Sequence, residues 1–354
     1  MEEFFSMRNI LKVTFVIVGT MIGAGFASGK EIDMFFFRYG MQGILGLCVS
    51  SILTGIIIQK VFQILKKYHY SSYEEFLSTI SKRKNVNQII KHIVQIFLFI
   101  SFYIMVAGVS AYFEQEFQIP TIFSSIVMAI LCYITFQNNI EGVISINSVL
   151  IPILISFIAY LGIKNFEFAH QNLWGQQNIT IFNDSFLMNN WLVSCILYAS
   201  YNSIILIPML IELSQYVNSN KKIKIISFLC TSILLILGVC LFCLLLRGQT
   251  YIFELELPMI QIVKEFGTAY QLIYGIVIVA AIFTSAISAG YSFLKNSTKT
   301  PKGYQYCNLF LCFSSILVTN IGFSKLVSLL YPVFGVLGLI QVFYLLKNNK
   351  MLKT

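Results

Sequence analysis

The chain has 354 residues, of which 57% are hydrophobic and only 11% are charged, and its formal net charge is +9. Soluble globular domains carry about 25% charged residues. The composition therefore excludes an ordinary soluble protein and predicts an all-α polytopic membrane protein, with the lipid bilayer as its surroundings.

Ten segments are long and apolar enough to be predicted as membrane-spanning helices. Such a helix needs about 20 mainly apolar residues, because lipid leaves every backbone polar group to be satisfied within the segment. We predict one transmembrane domain over residues 1–354. Its spans cover residues 9–37, 42–65, 89–113, 120–137, 140–163, 190–214, 223–246, 267–294, 304–320 and 325–346.

The basic residues predict the orientation of these spans, because cytoplasmic loops collect Lys and Arg. With the N-terminus inside, 18 of the 24 basic residues fall on the cytoplasmic side and 5 on the other, while Lys30 lies within the first span. We therefore expect both termini to be cytoplasmic. The basic residues form no single patch, which argues against nucleic-acid binding.

Residues that could support catalysis are sparse and scattered. All eight cysteines fall within predicted spans, and we interpret them as buried packing residues. Cys240 and Cys243 form a C-x-x-C pair, but in mid-helix and without a nearby His, so packing is favoured over metal or redox chemistry. An integral membrane enzyme would need His, Asp or Glu clustered at one face. We expect no enzyme activity, no organic cofactor and no obligate protein partner.

Two connectors between spans contain short predicted helices. The stretch "SSYEEFLSTISKRK", residues 71–84, has Ser71 or Ser72 as a candidate N-cap of an amphipathic helix at the membrane surface. The stretch "LPMIQIVKEFG", residues 257–267, is predicted to form a short helix on the opposite face.

Two spans carry unusual interruptions. The first contains Gly19, Gly23 and Gly25 within "GTMIGAGFASGKEID", and the sixth contains "YASYNSIILIP", which ends at Pro208. Five spans separate one interruption from the next, so the second half crosses the membrane in the opposite direction. We therefore predict a five-plus-five inverted repeat, residues 7–163 and 189–346, with the first and sixth helices discontinuous. The symmetry rests on hydropathy and on the placement of the interruptions.

A broken helix inside a membrane exposes backbone groups that need partners. Free carbonyl oxygens suit a cation, and free N–H groups suit an anion. An amino acid and a sodium ion match these requirements. Alternatively, Gly19 and Gly23 form a G-x-x-x-G pair of the kind that permits close helix packing. Both interpretations stay open at this point.

The eighth span contains adjacent hydroxyl side chains in "AAIFTSAISAGYSF", residues 280–293. Thr284 and Ser285 lie side by side, with Ser288 one turn later. Together with backbone carbonyls of an opened first span, these hydroxyls would form a five-oxygen sodium shell. The alternative is that each hydroxyl donates to a carbonyl of its own helix.

The stretch "VGTMIGAGFASGKEI" resembles the first-helix signature of the YkvI-like family of uncharacterised bacterial membrane proteins, and "LYASYNS" in the sixth span resembles that family too. The likeness covers nearly the whole chain. That family is similar at the fold level to amino-acid/polyamine/organocation permeases and to sodium-coupled transporters with the LeuT fold. The resemblance implies a multi-pass protein of the bacterial plasma membrane.

Site residues follow from the likeness to sodium-coupled transporters of this fold. It implies backbone or hydroxyl ligands for Na⁺ from Gly19, Ile22, Ala281, Thr284 and Ser285. It also implies a substrate site formed by Gly23, Ala24, Gly25, Phe26, Tyr103, Tyr198, Tyr201, Asn202 and Ser203. The role of Tyr103 has an alternative, because this hydroxyl sits near Ser101 in a span and an interhelical hydrogen bond explains it equally.

Lys30, Glu31 and Asp33 are the candidate coupling or gating residues. The family pattern has Gln where this chain has Lys30, and residues i and i+3 meet on a helix, so Lys30 and Asp33 are expected to neutralise each other. Glu31 would bind the substrate amine, close a gate or carry a proton. The alternative places residues 30–33 near the membrane surface, where charge costs little.

These interpretations predict a secondary active transporter that moves an amino acid or a similar small zwitterion by alternating access, with Na⁺ or H⁺ as the coupling ion. The rival hypothesis is a ligand sensor on the same fold, similar to spore-germination receptors, which transports nothing.

Overall fold

The structure is a computed structural model that describes residues 2–70, 72–80, 83–173, 190–248, 257–317 and 323–347. All regular elements in these ranges are helical. They are α1 Glu2–Met21, α2 Ala24–Ala27, α3 Lys30–Phe35, α4 Met41–Tyr68, α5 Tyr73–Ile80, α6 Lys84–Phe117, α7 Thr121–Gln137, α8 Asn139–Lys164, α9 Phe166–Leu173, α10 Trp191–Leu213, α11 Asn220–Leu245, α12 Pro258–Lys264, α13 Thr268–Ser297, α14 Pro301–Ser314 and α15 Phe323–Lys347, with short 3-10 turns at Phe37–Tyr39 and Ser214–Tyr216.

Seven helices of the described ranges are long and apolar enough to cross a membrane, namely α4, α6, α8, α10, α11, α13 and α15. The other three predicted spans correspond to the divided segment α1–α3, to the 17-residue α7 and to the 14-residue α14. An all-α polytopic membrane protein is therefore confirmed. The count of ten spans and the two inverted repeats stay predictions.

Both short helices predicted between spans are present as α5 and α12. The hydroxyl of Ser72 accepts a hydrogen bond from the N–H of Glu75 at 3.3 Å, which is the expected capping contact at the start of α5. The other candidate cap, Ser71, lies outside the described residues.

The first span is discontinuous, as the sequence predicts. Helix α1 ends at Met21, and α2 begins at Ala24 after Gly23, whose backbone is extended with φ −92° and ψ −165°. A second interruption separates α2 from α3 at Gly29, where φ is +83°. A residue with a side chain is strained in that left-handed conformation, so glycine permits this turn.

The sixth span is a continuous helix, so the prediction that it is discontinuous is wrong. Helix α10 includes Pro208 without a break. The amide of Asn202 donates to the Tyr198 carbonyl at 3.0 Å, and the hydroxyl of Ser203 donates to the Ser200 carbonyl at 2.6 Å. These polar side chains are satisfied by their own helix, and Pro208 removes one backbone donor without opening the remaining turns.

The broken first span lies inside the bundle. Helix α1 packs against α8, α11 and α13, while α10 packs mainly against α15 and α4. The α10–α15 contact is close because α15 carries glycines at the interface. A Cβ on Gly338 would lie 2.7 Å from the backbone carbon of Ser200. The break is therefore surrounded by protein and not by lipid.

Candidate functional site at the break in the first span

The break leaves backbone carbonyls at the end of α1 without helical partners. The last helical hydrogen bond of α1 runs from the N–H of Ile22 to the Val18 carbonyl at 2.8 Å. The first hydrogen bond of α2 runs from the N–H of Ala27 to the Gly23 carbonyl at 2.9 Å. Within the described part of the chain, no backbone N–H donates to the carbonyls of Thr20, Met21 and Ile22. They offer acceptors inside the membrane domain, where an unsatisfied polar group is costly.

Four of the five oxygens predicted to bind Na⁺ lie in two hydrogen-bonded pairs at this break. The Ser285 hydroxyl donates to the Gly19 carbonyl at 2.8 Å and so connects α13 to α1. The Thr284 hydroxyl donates to the Ala281 carbonyl at 2.9 Å. The fifth oxygen belongs to Ile22 at the break itself. The structure thus brings α1 and α13 together where the prediction requires it, and the assignment of Na⁺ to these oxygens stays a prediction.

A methionine of α6 contacts the break and was not foreseen from the sequence. The Sδ of Met105 accepts a hydrogen bond from the N–H of Ala24 at 3.5 Å. A Cβ on Gly23 would lie 2.9 Å from the Met105 Cε and 3.1 Å from the Ser285 Oγ, so Gly23 allows both side chains to approach the backbone. A lone Met in an apolar helix carries no sequence signal for such a role, because Met commonly fills packing gaps.

Glu31 folds back over α2 and contacts the sixth span. Its side chain is 2% exposed, its Oε2 accepts a short hydrogen bond from the Tyr201 hydroxyl, and its carboxylate also accepts from the backbone N–H of Phe26. A Cβ on Gly25 would lie 2.7 Å from the Glu31 Cγ. The absence of a side chain at Gly25 therefore gives the carboxylate its route to α10. Glu31 thus lies in the interior of the protein.

An aromatic cluster surrounds the Glu31–Tyr201 contact. The ring of Tyr201 stacks on Phe35 with centroids 5.6 Å apart and on Tyr331 of α15 at 4.8 Å. The ring of Tyr198 lies edge-on to Phe35 at 5.3 Å and to Phe36 at 4.9 Å. Both tyrosines thus face α3, and through these rings α3 is packed onto α10.

The remaining predicted substrate residues point to other neighbours. The Tyr103 hydroxyl is hydrogen-bonded to the Ser314 hydroxyl of α14 at 2.6 Å, which matches the alternative of an interhelical bond. Asn202 and Ser203 donate within α10, as described above. Phe26 and Tyr198 share a cavity of about 10 Å³ with hydroxyls of α4, which is room for about one water molecule.

Asp33 forms an ion pair with Arg38, and the positive charge of Lys30, the partner predicted from the sequence, also acts on this carboxylate. Its Oδ2 lies 3.2 Å from the Arg38 Nη2. The short turn Phe37–Tyr39 brings the guanidinium back toward α3. A planar guanidinium five residues away competes well for this carboxylate because it can donate from a fixed fork.

Two further contacts cover the α2–α3 junction. The N–H of Met259 in α12 donates to the Ser28 carbonyl at 3.2 Å, and the Tyr274 hydroxyl of α13 donates to the Ala27 carbonyl at 2.7 Å. Both donors lie within the described ranges and satisfy carbonyls at the end of α2. The connector helix α12 therefore packs directly on the interrupted span.

Comparison with known proteins supports this architecture. No protein-family model matches the chain. The uncharacterized membrane protein YkvI of Bacillus subtilis strain 168 is 27% identical over 344 residues, covering 94% of each chain. The uncharacterized protein YyaD of the same organism is 26% identical over 339 residues, again covering 94% of each chain.

Several solved structures with a similar fold are transporters. A Na⁺-coupled sialic acid symporter, substrate-bound and outward-open, has a TM-score of 0.64 at 14% identity, covering 93% of this chain and 76% of that one. A mutant manganese transporter of Eremococcus coleocola has a TM-score of 0.63 at 12% identity, covering 94% and 77%. A nucleobase-cation-symport-1 family transporter, closed with bromovinylhydantoin bound, has a TM-score of 0.59 at 9% identity, covering 89% and 73%.

At these identities the solved structures speak for the fold alone. The two Bacillus subtilis relatives extend over nearly the whole chain, which agrees with the resemblance carried by the first and sixth spans. The chain is therefore similar to YkvI over nearly its whole length, and its structural neighbours are transporters with the LeuT fold.

Proposed function

We propose that this protein is a secondary active transporter that moves an amino acid or a similar small zwitterion by alternating access, driven by Na⁺. The observation that carries the proposal is the broken first span. Its carbonyls at Met21 and Ile22, to which no backbone N–H of the described residues donates, lie next to the Ser285–Gly19 contact, which joins α1 to α13. Discontinuous helices whose free backbone groups meet ions and substrates are a recurrent design of secondary transporters.

The fold neighbours support transport but not a particular cargo. Their names mention sialic acid, manganese and a hydantoin, so one scaffold accommodates chemically different substrates. Our choice of a zwitterion rests on the free carbonyls for a cation and on Glu31 for an amine. A proton remains the alternative coupling ion. We place both termini in the cytoplasm on the basis of the Lys and Arg distribution.

Glu31 acts in this proposal as the residue that closes the site. Its contact with Tyr201 ties α3 to α10, and the aromatic cluster excludes water from the carboxylate. When α3 separates from α10, the carboxylate loses Tyr201 and becomes free to bind the substrate amine. A buried carboxylate needs such a partner because its desolvation is expensive.

The test compares thermal unfolding of the purified protein in NaCl and in choline chloride of equal ionic strength. We expect Na⁺ to raise the unfolding temperature, and we expect the Thr284→Ala/Ser285→Ala variant to fold but to lose this response. Substituting Ser110 and Ser124, which donate to their own helices, provides the control. A wild-type protein that gains no stability from Na⁺ would refute sodium coupling.

Counterflow in proteoliposomes then separates a transporter from a sensor. Thermal-shift screening against amino acids supplies the ligand, and the exchange of labelled ligand across the membrane is measured. A sensor binds the ligand and moves none of it.

A further inference from the structure

Asn147 in α8 has an amide oxygen without a hydrogen-bond donor. The residue is fully buried, and its Nδ2 donates to the Val143 carbonyl at 2.8 Å. Its Oδ1 has no partner among the described residues. The amide cannot be turned around, because Oδ1 would then face the Val143 carbonyl. The free acceptor therefore points away from its own helix.

This oxygen lies against the backbone of Gly19. A Cβ on Gly19 would overlap the Asn147 Oδ1 and would lie 2.8 Å from the Ile151 Cδ1. The Gly19 carbonyl is the acceptor of the Ser285 hydroxyl. Oxygen atoms of three helices thus meet at Gly19: the Asn147 Oδ1 of α8, the Gly19 carbonyl of α1 and the Ser285 hydroxyl of α13.

An unpartnered acceptor in a protein interior destabilises the fold, and buried polar groups without partners are rare enough to need an explanation. The oxygens predicted to bind Na⁺ are all neutral, and none is a carboxylate. Hard cations prefer oxygen ligands, including the side-chain carbonyl of Asn. A cation near Gly19 would use the acceptor that the fold leaves free.

We infer that Asn147 contributes its Oδ1 as an additional ligand of the coupling cation. This makes α8 a third wall of the cation site, beside α1 and α13. The inference rests on the proposed sodium coupling and adds to it a residue outside the predicted ligand set. The competing explanation is a weak Cα–H···O contact by which α8 packs on Gly19.

The experiment measures the Na⁺ concentration that gives half of the maximal thermal stabilisation. Asn147→Leu keeps the branched shape and removes the oxygen, and we expect it to raise this concentration about tenfold or more, since one lost contact of hydrogen-bond strength changes an equilibrium by about that factor. Asn147→Asp keeps the oxygen and adds a negative charge, so it should lower the concentration. Asn308→Ala removes another buried amide, far from Gly19 in the chain, and serves as the control.

The outcomes separate the two proposals. If Na⁺ stabilises the wild type and the Leu and Asp variants keep the wild-type half-saturating concentration, Asn147 is not a ligand and sodium coupling stands. If Na⁺ does not stabilise the wild type, both ideas fail. Should Asn147→Leu fail to fold, Asn147→Ala takes its place, because it also removes the oxygen; an unchanged half-saturating Na⁺ concentration in that variant would overturn the inference.

Discussion

The first and sixth spans both place polar residues inside an apolar segment, but their backbones differ. The first is divided at residues 22–23 and again at Gly29, whereas α10 is helical from Trp191 to Leu213. The first span carries four glycines between positions 19 and 29, and α10 has none. The polar residues of α10 are Ser, Asn, Tyr and Glu212, and the helix contains one Pro.

The difference teaches that polar residues alone do not open a helix in a membrane. In α10, the side chains of Asn202 and Ser203 donate to carbonyls of the same helix. In the first span, groups freed by the break find partners on other elements: the Ala24 N–H reaches Met105, and the Gly19 carbonyl receives Ser285. Glycine makes these close approaches possible.

The largest expected effect concerns Met105. We expect Met105→Ala to lower the free energy of unfolding by about 2–5 kcal/mol, because it empties a buried site and removes the acceptor of the Ala24 N–H. Met105→Leu keeps most of the volume and should cost less than about 1.5 kcal/mol from packing. Denaturant unfolding in detergent measures both.

Met209 of α10 is the matched control, since it is also buried and lies in the continuous helix. Met105→Leu should lower the free energy of unfolding more than Met209→Leu does. The difference is the contribution of the hydrogen bond from the Ala24 N–H to the Met105 sulfur. Equal costs would mean that the break does not depend on Met105.

The next effect concerns Glu31. Glu31→Leu leaves the Tyr201 hydroxyl and the Phe26 N–H without an acceptor, and we expect a loss of about 1–3 kcal/mol. Glu31→Gln retains an acceptor oxygen, so its free energy of unfolding should fall by less. Unfolding measurements on both variants test this.

Glu212 offers a comparison at the end of the sixth span, where its Oε2 accepts from the Tyr291 hydroxyl at 3.1 Å. It is only partly buried, so Glu212→Leu should cost less than Glu31→Leu. Equal free energies of unfolding for Glu31→Leu and Glu31→Gln would contradict the assigned hydrogen bonds.

A smaller effect is expected at Pro208. Pro208→Ala restores a backbone donor inside α10, and we expect a gain of about 1 kcal/mol, the net value of one hydrogen bond. Hydrogen exchange along α10 should stay unchanged apart from the restored amide. Pro152→Ala in α8 is the control for a second proline inside a helix. A marked loss of stability in Pro208→Ala would show that this residue shapes the sixth span after all.

The smallest effect is expected away from both spans, at the ion pair between Glu74 of α5 and Lys91 of α6, 2.8 Å apart. Hydrogen bonding to Lys91 holds the pKa of the Glu74 carboxyl below its usual value. The pair therefore stabilises the fold above the usual titration range of a glutamate, and this contribution disappears as the pH falls through the lowered pKa. Because Glu74 is largely exposed, Glu74→Gln should cost less than about 1 kcal/mol at neutral pH. A larger loss would show that α5 anchors the bundle.

Particular residues show how far sequence reasoning reaches at the candidate site. The break at Gly23 was predictable, because glycines and charges inside a span are costly unless they serve a purpose. The resemblance also assigned Ser285 and Gly19 to one cation site, but it did not predict the hydrogen bond between them. Met105 and Asn147 were not predictable, since a Met in an apolar helix and a lone Asn in a span look like packing residues. Pro208 misled the prediction, because a proline can be accommodated where neighbouring turns remain bonded.

The sequence by itself determined that this protein lies in a membrane, that its elements are helices, and that the first of its spans is interrupted. These properties depend on local composition, since lipid imposes the same backbone requirement on every segment. Only the tertiary structure decided which carbonyls stay free, which side chains reach the break, and that Glu31 turns inward to Tyr201. Those outcomes depend on the neighbours that a folded bundle places within hydrogen-bond distance, and such contacts join residues as far apart in the chain as Gly19 and Ser285.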